Sequence, residues 1–148
     1  MMSKIRAFSV SFLLCAITLM PFAARAATPV MEAASHKIME KALATPDPKA
    51  AKFLLEQAIV ADPANAKAYT ELGSLYDTKL KNADLAMKYY EIALTIDPVN
   101  VKALAGAAHF DLANGKKDKA AANLAVLKKA CPSCGETREL EAAISNSK

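Results

Sequence analysis

The chain has 148 residues, of which 53% are hydrophobic and 23% charged, and it contains only 4 glycines. That length suits a single domain, and so few glycines argue against phosphate-binding loops and turn-rich all-β folds. Alanine is the commonest residue, which favours helices because alanine loses the least side-chain entropy on entering one. Three of the 19 basic residues and no acidic residue lie within residues 1–26. The remainder carries 16 basic against 15 acidic side chains, so we expect no nucleic-acid partner.

Residues 1–26 have the three parts of a secretory signal peptide. Lys4 and Arg6 precede an uncharged stretch at positions 7–20, and residues 24–26 read Ala-Arg-Ala, the small-x-small pattern that signal peptidase accepts. An uncleaved anchor is the weaker alternative, because this stretch would span about 21 Å of a roughly 30 Å hydrocarbon layer. We therefore predict a signal peptide at 1–26, a mature chain from Ala27 without an integral membrane segment, and a periplasmic or secreted location.

Helix-start signals and prolines recur along the rest of the chain. Candidate N-caps stand at Thr28, Asp47, Asn65, Asn82 and Asn100. Ser133 with Glu136 three residues later forms a capping-box pattern that predicts the start of a last helix. Pro63, Pro98 and Pro132 each follow an apolar helical segment and fall 35 and 34 residues apart. A fixed period of this length indicates a stacked array of helical repeats.

The first helix of the middle unit carries one apolar face. Tyr69, Leu72 and Tyr76 are spaced three and four residues apart, as on one side of an α-helix. Gly73 interrupts this helix at a cost of about 1 kcal/mol relative to alanine. We therefore expect a neighbouring helix to approach closely at Gly73.

The complete middle unit resembles the tetratricopeptide repeat, whose pattern is W-x2-L-G-x2-Y, then A-x3-F-x2-A and a closing proline. Here the pattern reads Tyr69-x2-Leu72-Gly73-x2-Tyr76, then Ala86-x3-Tyr90-x2-Ala93 and Pro98. The resemblance implies an all-α fold, a right-handed superhelical solenoid of three helix-turn-helix repeats plus a C-terminal capping helix. It places a domain at 27–148, with repeats at about 32–65, 66–100 and 101–134 and the capping helix at about 135–146.

Cys131 and Cys134 form the pair that suggests chemistry most directly. We favour a structural disulfide, because an exported protein meets an oxidising compartment and no strand pattern of a redox fold surrounds the pair. Thiol–disulfide exchange is an alternative, since Cys134 lies at a helix start, where a thiolate is stabilised, whereas Cys131 ends a helix. A metal site is a weaker alternative, because it needs two more ligands from distant positions.

The sequence favours a protein that is not an enzyme and binds no cofactor or metal. His36 and His109 are the only histidines, and neither accompanies a nucleophile pattern or a glycine-rich phosphate loop.

The resemblance implies that a partner binds in a concave groove lined by the first helix of each unit. By register the candidate groove residues are Lys67, Thr70, Ser74, Asp77 and Thr78 in the middle unit, Lys102 and His109 in the last, and His36 and Glu40 in the first. The Lys and Asn pattern with which some members of the family clamp carboxylate-ended peptides is absent.

Three functional hypotheses follow. The leading one is an exported, non-enzymatic interaction module that binds a peptide or protein in the groove. The alternative is a cell-envelope redox accessory that exchanges disulfides with a client through Cys131 and Cys134. Self-association of the repeats into an oligomer is the third.

Overall fold

The structure, a computed structural model, describes residues 28–147, and all of their regular elements are α-helices. The signal peptide predicted at 1–26 lies outside the described residues. The seven helices are α1 Pro29–Leu43, α2 Pro48–Ala61, α3 Ala66–Thr78, α4 Ala83–Ile96, α5 Val101–Ala113, α6 Lys117–Ala130 and α7 Gly135–Asn146. Within 28–147, none of the helices has the length and apolar character needed to cross a membrane.

Five of the helices begin at the N-caps that the sequence predicts. The side chains of Thr28, Asp47, Asn65, Asn82 and Asn100 each accept a hydrogen bond from a backbone N–H in the first turn of the helix that follows. Proline occupies the first position of α1 and α2, where its missing N–H costs no helical hydrogen bond. Gly115, at φ 71°, turns the chain between α5 and α6. The five predicted N-caps are confirmed.

The start of α7 differs from the prediction. Cys134, not Ser133, is the N-cap, and no side chain caps this helix, so the predicted capping box of Ser133 and Glu136 is wrong. The turn is closed instead by Thr137, whose hydroxyl donates to the carbonyl oxygen of Cys131 at 2.6 Å. That bond draws the first turn of α7 toward the end of α6, so the helix begins one residue later than the capping box predicts.

The helices pair in chain order into three antiparallel hairpins, α1 with α2, α3 with α4 and α5 with α6. Each new hairpin packs its first helix on the second helix of the hairpin before it, so α3 contacts α2 and α5 contacts α4. The first helices also meet each other, since α5 contacts α3. This regular stacking of hairpins is the predicted all-α solenoid.

The core runs through the stack as three clusters of buried side chains. Larger side chains, among them Met39, Leu55 and Leu72, fill the N-terminal cluster, whereas the middle cluster consists of Tyr90 and four alanines. The C-terminal cluster is closed by α7, whose Leu140 is fully buried against residues of α5 and α6. The predicted capping helix therefore covers the apolar end of the last repeat.

Candidate functional site

Tyr90 lies between the two first helices α3 and α5. Its ring faces Gly73 on α3, where an added Cβ would come within 2.8 Å of two ring carbons, and it faces Gly106 on α5 even more closely. Gly73 is also near the backbone of α4, with 3.2 Å from the position of its Cβ to the carbonyl oxygen of Ala86. The close approach expected at Gly73 is confirmed, and the two glycines form a slot for the tyrosine ring.

The hydroxyl of Tyr90 reaches the acidic side of α3. The pKa of the Tyr90 phenol is raised to about 12, mainly by burial; the negative charge of Asp77 contributes to the rise, and a hydrogen bond with Ser74 opposes it. Glu71 adds a smaller effect in the same direction as Asp77. The phenol end of this otherwise buried side chain is therefore close to polar groups on the surface of α3.

Two cavities open beside these helices. We name each cavity after the largest residue that the second helix of a unit contributes to its wall. The Leu55 pocket, of about 190 Å³, lies between the first and middle units and is lined by Ala42, Leu43, Thr45, Pro46, Pro48, Ala51, Leu55, Glu71, Ser74, Leu75, Thr78 and Lys79. The Tyr90 pocket, of about 160 Å³, lies between the middle and last units and is lined by Asp77, Ala83, Ala86, Tyr90, Gly106, His109, Phe110, Ala113 and Asn114.

The two pockets are the same feature of the repeat, formed twice. Every residue that lines the Tyr90 pocket stands 35 positions after a residue that lines the Leu55 pocket, so that Tyr90 corresponds to Leu55 and His109 to Ser74. Because 35 residues is also the spacing of the first two prolines, the pockets follow from the period of the fold. They differ in the side chains that each unit supplies.

The pockets bring together some of the groove residues predicted from the sequence. Ser74 and Thr78 line the Leu55 pocket, and Asp77 and His109 line the Tyr90 pocket. The other exposed candidates, His36, Glu40, Lys67 and Lys102, line neither pocket. Lys102 is instead 2.7 Å from Glu71, in an ion pair that links α5 to α3.

Comparison with known proteins agrees with this architecture. The sequence profile of the tetratricopeptide repeat (TPR) matches residues 66–100. Residues 66–100 are a tetratricopeptide repeat. No match was found among curated proteins.

Solved structures show that the whole described chain has the TPR fold. The TPR domain of Arabidopsis OM64 is 22% identical with a TM-score of 0.69, over 78% of this chain and 97% of that one. The second TPR domain of human RPAP3, solved in complex with an HSP70 peptide, is 18% identical with a TM-score of 0.65, over 79% and 97%. A Thermobaculum terrenum O-GlcNAc transferase mutant is 19% identical with a TM-score of 0.64, over 78% of this chain but 22% of that one.

Thr70 is a correction to the predicted groove. Its side chain is buried, donates to the carbonyl oxygen of Ala66 at 2.9 Å and lies 3.2 Å from Oδ1 of Asn100, so it is not free to contact a partner. The equivalent pair of residues joins the first two units, where Nδ2 of Asn65 donates to the hydroxyl of Ser35 at 2.9 Å. Thr70 lies 35 positions after Ser35, and Asn100 lies 35 positions after Asn65. That shared spacing could have identified the contact between a hydroxyl and an asparagine from the sequence.

Sequence reasoning also missed the contributions of Tyr90 and Phe110 to the groove. Tyr90 is a position of the repeat pattern and is indeed 4% exposed, whereas Phe110 lies outside that pattern. The signal was the second glycine of the slot, Gly106, which lies on the opposite side of the Tyr90 ring from Gly73. When a glycine lies on each side of an aromatic ring, the ring can pass between the two helices that carry the glycines. The far end of the ring then reaches the surface on the other side of those helices.

The cysteine pair lies at the junction of α6 and α7, and neither cysteine lines a pocket. Cys131 follows α6 as its C-cap, Cys134 is the N-cap of α7, and their Cα atoms are 5.5 Å apart, within the range of a disulfide. Among residues 28–147 no three potential metal ligands cluster together. Lys128 of α6 also pairs with Glu141 of α7 at 2.5 Å, so several contacts hold the same two helices together.

Proposed function

We propose that the protein is an exported, non-enzymatic interaction module that binds a peptide or a protein segment along the groove of α1, α3 and α5. The observation that carries this proposal is the pair of repeat-related pockets in that groove. Two equivalent cavities at a fixed spacing suit a chain-like ligand, which presents side chains at regular intervals. The peptide bound to the similar TPR domain of human RPAP3 supports a ligand of this class.

The absence of enzymatic activity is part of the proposal and rests on the residues of the groove. The polar groups that meet in the Tyr90 pocket are Asp77, Tyr90, His109 and Asn114, which include no serine or cysteine nucleophile. A similar TPR segment also occurs within a transferase, so the fold by itself does not decide this point.

Export is proposed on the pattern of residues 1–26 alone. We expect the mature protein to begin at Ala27 or within a residue or two of it, because cleavage follows the small residues at 24 and 26. N-terminal sequencing of the protein from the cell envelope measures this start. A chain that retains Met1 and fractionates with membranes would contradict the prediction.

Crosslinking at two positions tests the binding proposal. A photoreactive residue at Thr78, in the wall of the Leu55 pocket, should crosslink a partner in cells that express the protein. The matched control is Gln57, which is exposed on α2 and lines neither pocket. Crosslinks to the same partner from Thr78 but not from Gln57 support groove binding. Equal crosslinking from both positions, or none from Thr78, contradicts it.

The redox alternative has one observation in its favour. Cys134 stands at the N-terminus of α7, where the helix dipole stabilises a thiolate. Cys131 stands at the C-terminal end of α6, where the dipole acts in the opposite direction. If the pair exchanges disulfides with a client, Cys131→Ser or Cys134→Ser should trap that client as a mixed disulfide, which non-reducing electrophoresis detects.

A further inference from the structure

The two pockets share one position in the repeat but differ in chemistry, and the difference points to the kind of segment that they recognise. The Leu55 pocket has three leucines in its wall, Leu43, Leu55 and Leu75, beside polar side chains. At the equivalents of Leu55 and Leu75 the Tyr90 pocket has aromatic residues, and at the equivalent of Ala42 it has a carboxylate. There Tyr90 replaces Leu55, Phe110 replaces Leu75, and Asp77 replaces Ala42.

Asp77 is the one carboxylate among the residues that line the Tyr90 pocket. It is exposed and makes no ion pair with any residue from 28 to 147, in contrast to Glu71, whose charge is balanced by Lys102. Phe110 also lines the pocket, and the face of its ring already attracts a cation, since the ammonium group of Lys116 lies 5.8 Å from its centroid.

We propose that the Tyr90 pocket takes a lysine or arginine side chain, and the Leu55 pocket an apolar side chain, of one bound segment. This proposal rests on the proposed function and specifies the chemistry of the same groove. An acidic side chain in the Tyr90 pocket would be repelled by the charge of Asp77, and a purely apolar one would leave that carboxylate without a countercharge. A cation supplies the countercharge and donates hydrogen bonds to the carboxylate.

The effect of Asp77 on Tyr90 is consistent with a negative potential at this site. The charges of Asp77 and Glu71 both raise the pKa of the phenol, after burial, which is the larger cause. The same potential favours an incoming cation. In the Leu55 pocket the position of Asp77 is occupied by Ala42, and the carboxylate that does line this pocket, Glu71, is already paired with Lys102.

The spacing of the pockets guides the design of probe peptides. Packed helices are about 8–10 Å apart and α5 contacts α3, so the probes are designed for pockets separated by about this distance. An extended polyproline-type segment rises about 3.1 Å per residue with three residues per turn, which places side chains i and i+3 on one side about 9 Å apart. Suitable probes are acetylated nonapeptides of glycine and serine with one leucine and one arginine three residues apart, in both orders.

The test is an NMR titration of the purified protein with these probes. We expect the amide signals of Gly106 and His109 to shift on addition of one leucine–arginine peptide. Replacing its arginine with glutamate should weaken binding at least fivefold. Asp77→Asn should weaken binding of the arginine peptide about fivefold, whereas the control Asp84→Asn, an equal change of charge on an exposed residue outside both pockets, should leave it unchanged.

Two results would overturn the pocket assignment. One is equal affinity for the arginine and glutamate peptides, and the other is no shift at Gly106 and His109 with any probe at millimolar concentration. The crosslinking experiment at Thr78 tests groove binding itself, and its outcome does not depend on either of these results. A partner that crosslinks there while the probes fail contradicts only the chemistry assigned to the Tyr90 pocket.

Discussion

Gly106 on α5 and Tyr90 on α4 are so close that a Cβ atom at position 106 would overlap the aromatic ring. The contact joins two successive repeats, since α4 closes the middle unit and α5 opens the last one. Glycine is required here for space, because Gly106 has an ordinary helical backbone. The size of one residue therefore sets how closely the last hairpin stacks on the middle one.

The first prediction follows from this contact. Gly106→Ala should lower the free energy of unfolding by about 1–3 kcal/mol, because the overpacking penalty exceeds the roughly 1 kcal/mol that alanine gains over glycine in a helix. Urea melts measure the change. The control is Gly135→Ala, where an added Cβ would come no closer than 4.0 Å to any atom outside its immediate surroundings. Equal effects at the two positions would contradict the steric argument.

The second prediction concerns the small residue that allows α3 and α4 to pack together. Ala86 is 2% exposed and belongs to the middle core cluster. Ala86→Leu should cost about 1–3 kcal/mol, because a leucine there must displace buried neighbours. Urea melts that overlay those of the unchanged protein would show that the alignment of the middle repeat is wrong.

Five of the seven described helices could be predicted from local signals, because each of the five begins at a residue whose side chain caps it. Asn65, Asn82 and Asn100 are examples in which the cap alone decides the boundary. The start of α7 could not be predicted in this way. There the bond from Thr137 to the carbonyl of Cys131 outweighs the local preference of Ser133 for the cap position.

The candidate site was only partly predictable, because it depends on contacts between repeats. The family pattern assigns Thr70 to the groove, but the asparagine that begins the next unit holds its hydroxyl inside the stack. The same pattern assigns Tyr90 to the core, yet two glycines allow its hydroxyl end to reach a pocket wall. In both cases the deciding residue belongs to a neighbouring repeat and is invisible to the pattern of a single one.

The third prediction measures the asparagine contact between repeats. Asn65 caps α3 and also donates to Ser35, whereas Asn82 caps α4 on the exposed surface without such a contact. Asn65→Ala should cost about 2–3 kcal/mol and Asn82→Ala about 1 kcal/mol, since only the first leaves a buried hydroxyl without its donor. Thermal or urea unfolding gives both values. Equal costs would show that the contact with Ser35 contributes nothing beyond the cap.

The fourth prediction concerns stability at high pH. The pKa of Tyr90 is raised from 10.0 to about 12 in the folded state, so folding favours the neutral phenol. Its contribution is therefore fully present below pH 10 and is lost as the pH rises toward 12. The unfolding free energy should fall by about 2 kcal/mol more in the unchanged protein than in Tyr90→Phe over this range. A tyrosinate absorbance titration should show one group near 12 that the variant lacks, and identical titrations would contradict the assignment.

The last prediction separates a structural cysteine pair from a catalytic one. If the pair is structural, a redox titration should give a potential below about −300 mV, whereas catalytic pairs of oxidising proteins lie nearer −120 to −180 mV. Closing so short a loop contributes about 2 kcal/mol on the chain-entropy model. Replacing both cysteines with serine should therefore cost about 2 kcal/mol or less, because the Thr137 bond and the buried Leu140 still hold α7 in place.

Hydrogen exchange locates the effect of that double substitution. Amides of α7 should exchange faster, while those of α1 to α4 should keep their protection, because α7 packs mainly on α5 and α6. Binding in the groove should persist in the variant, since neither cysteine lines a pocket. A potential above about −200 mV, or a Cys134 thiol in the reduced protein that titrates well below 8.5, would instead favour disulfide exchange.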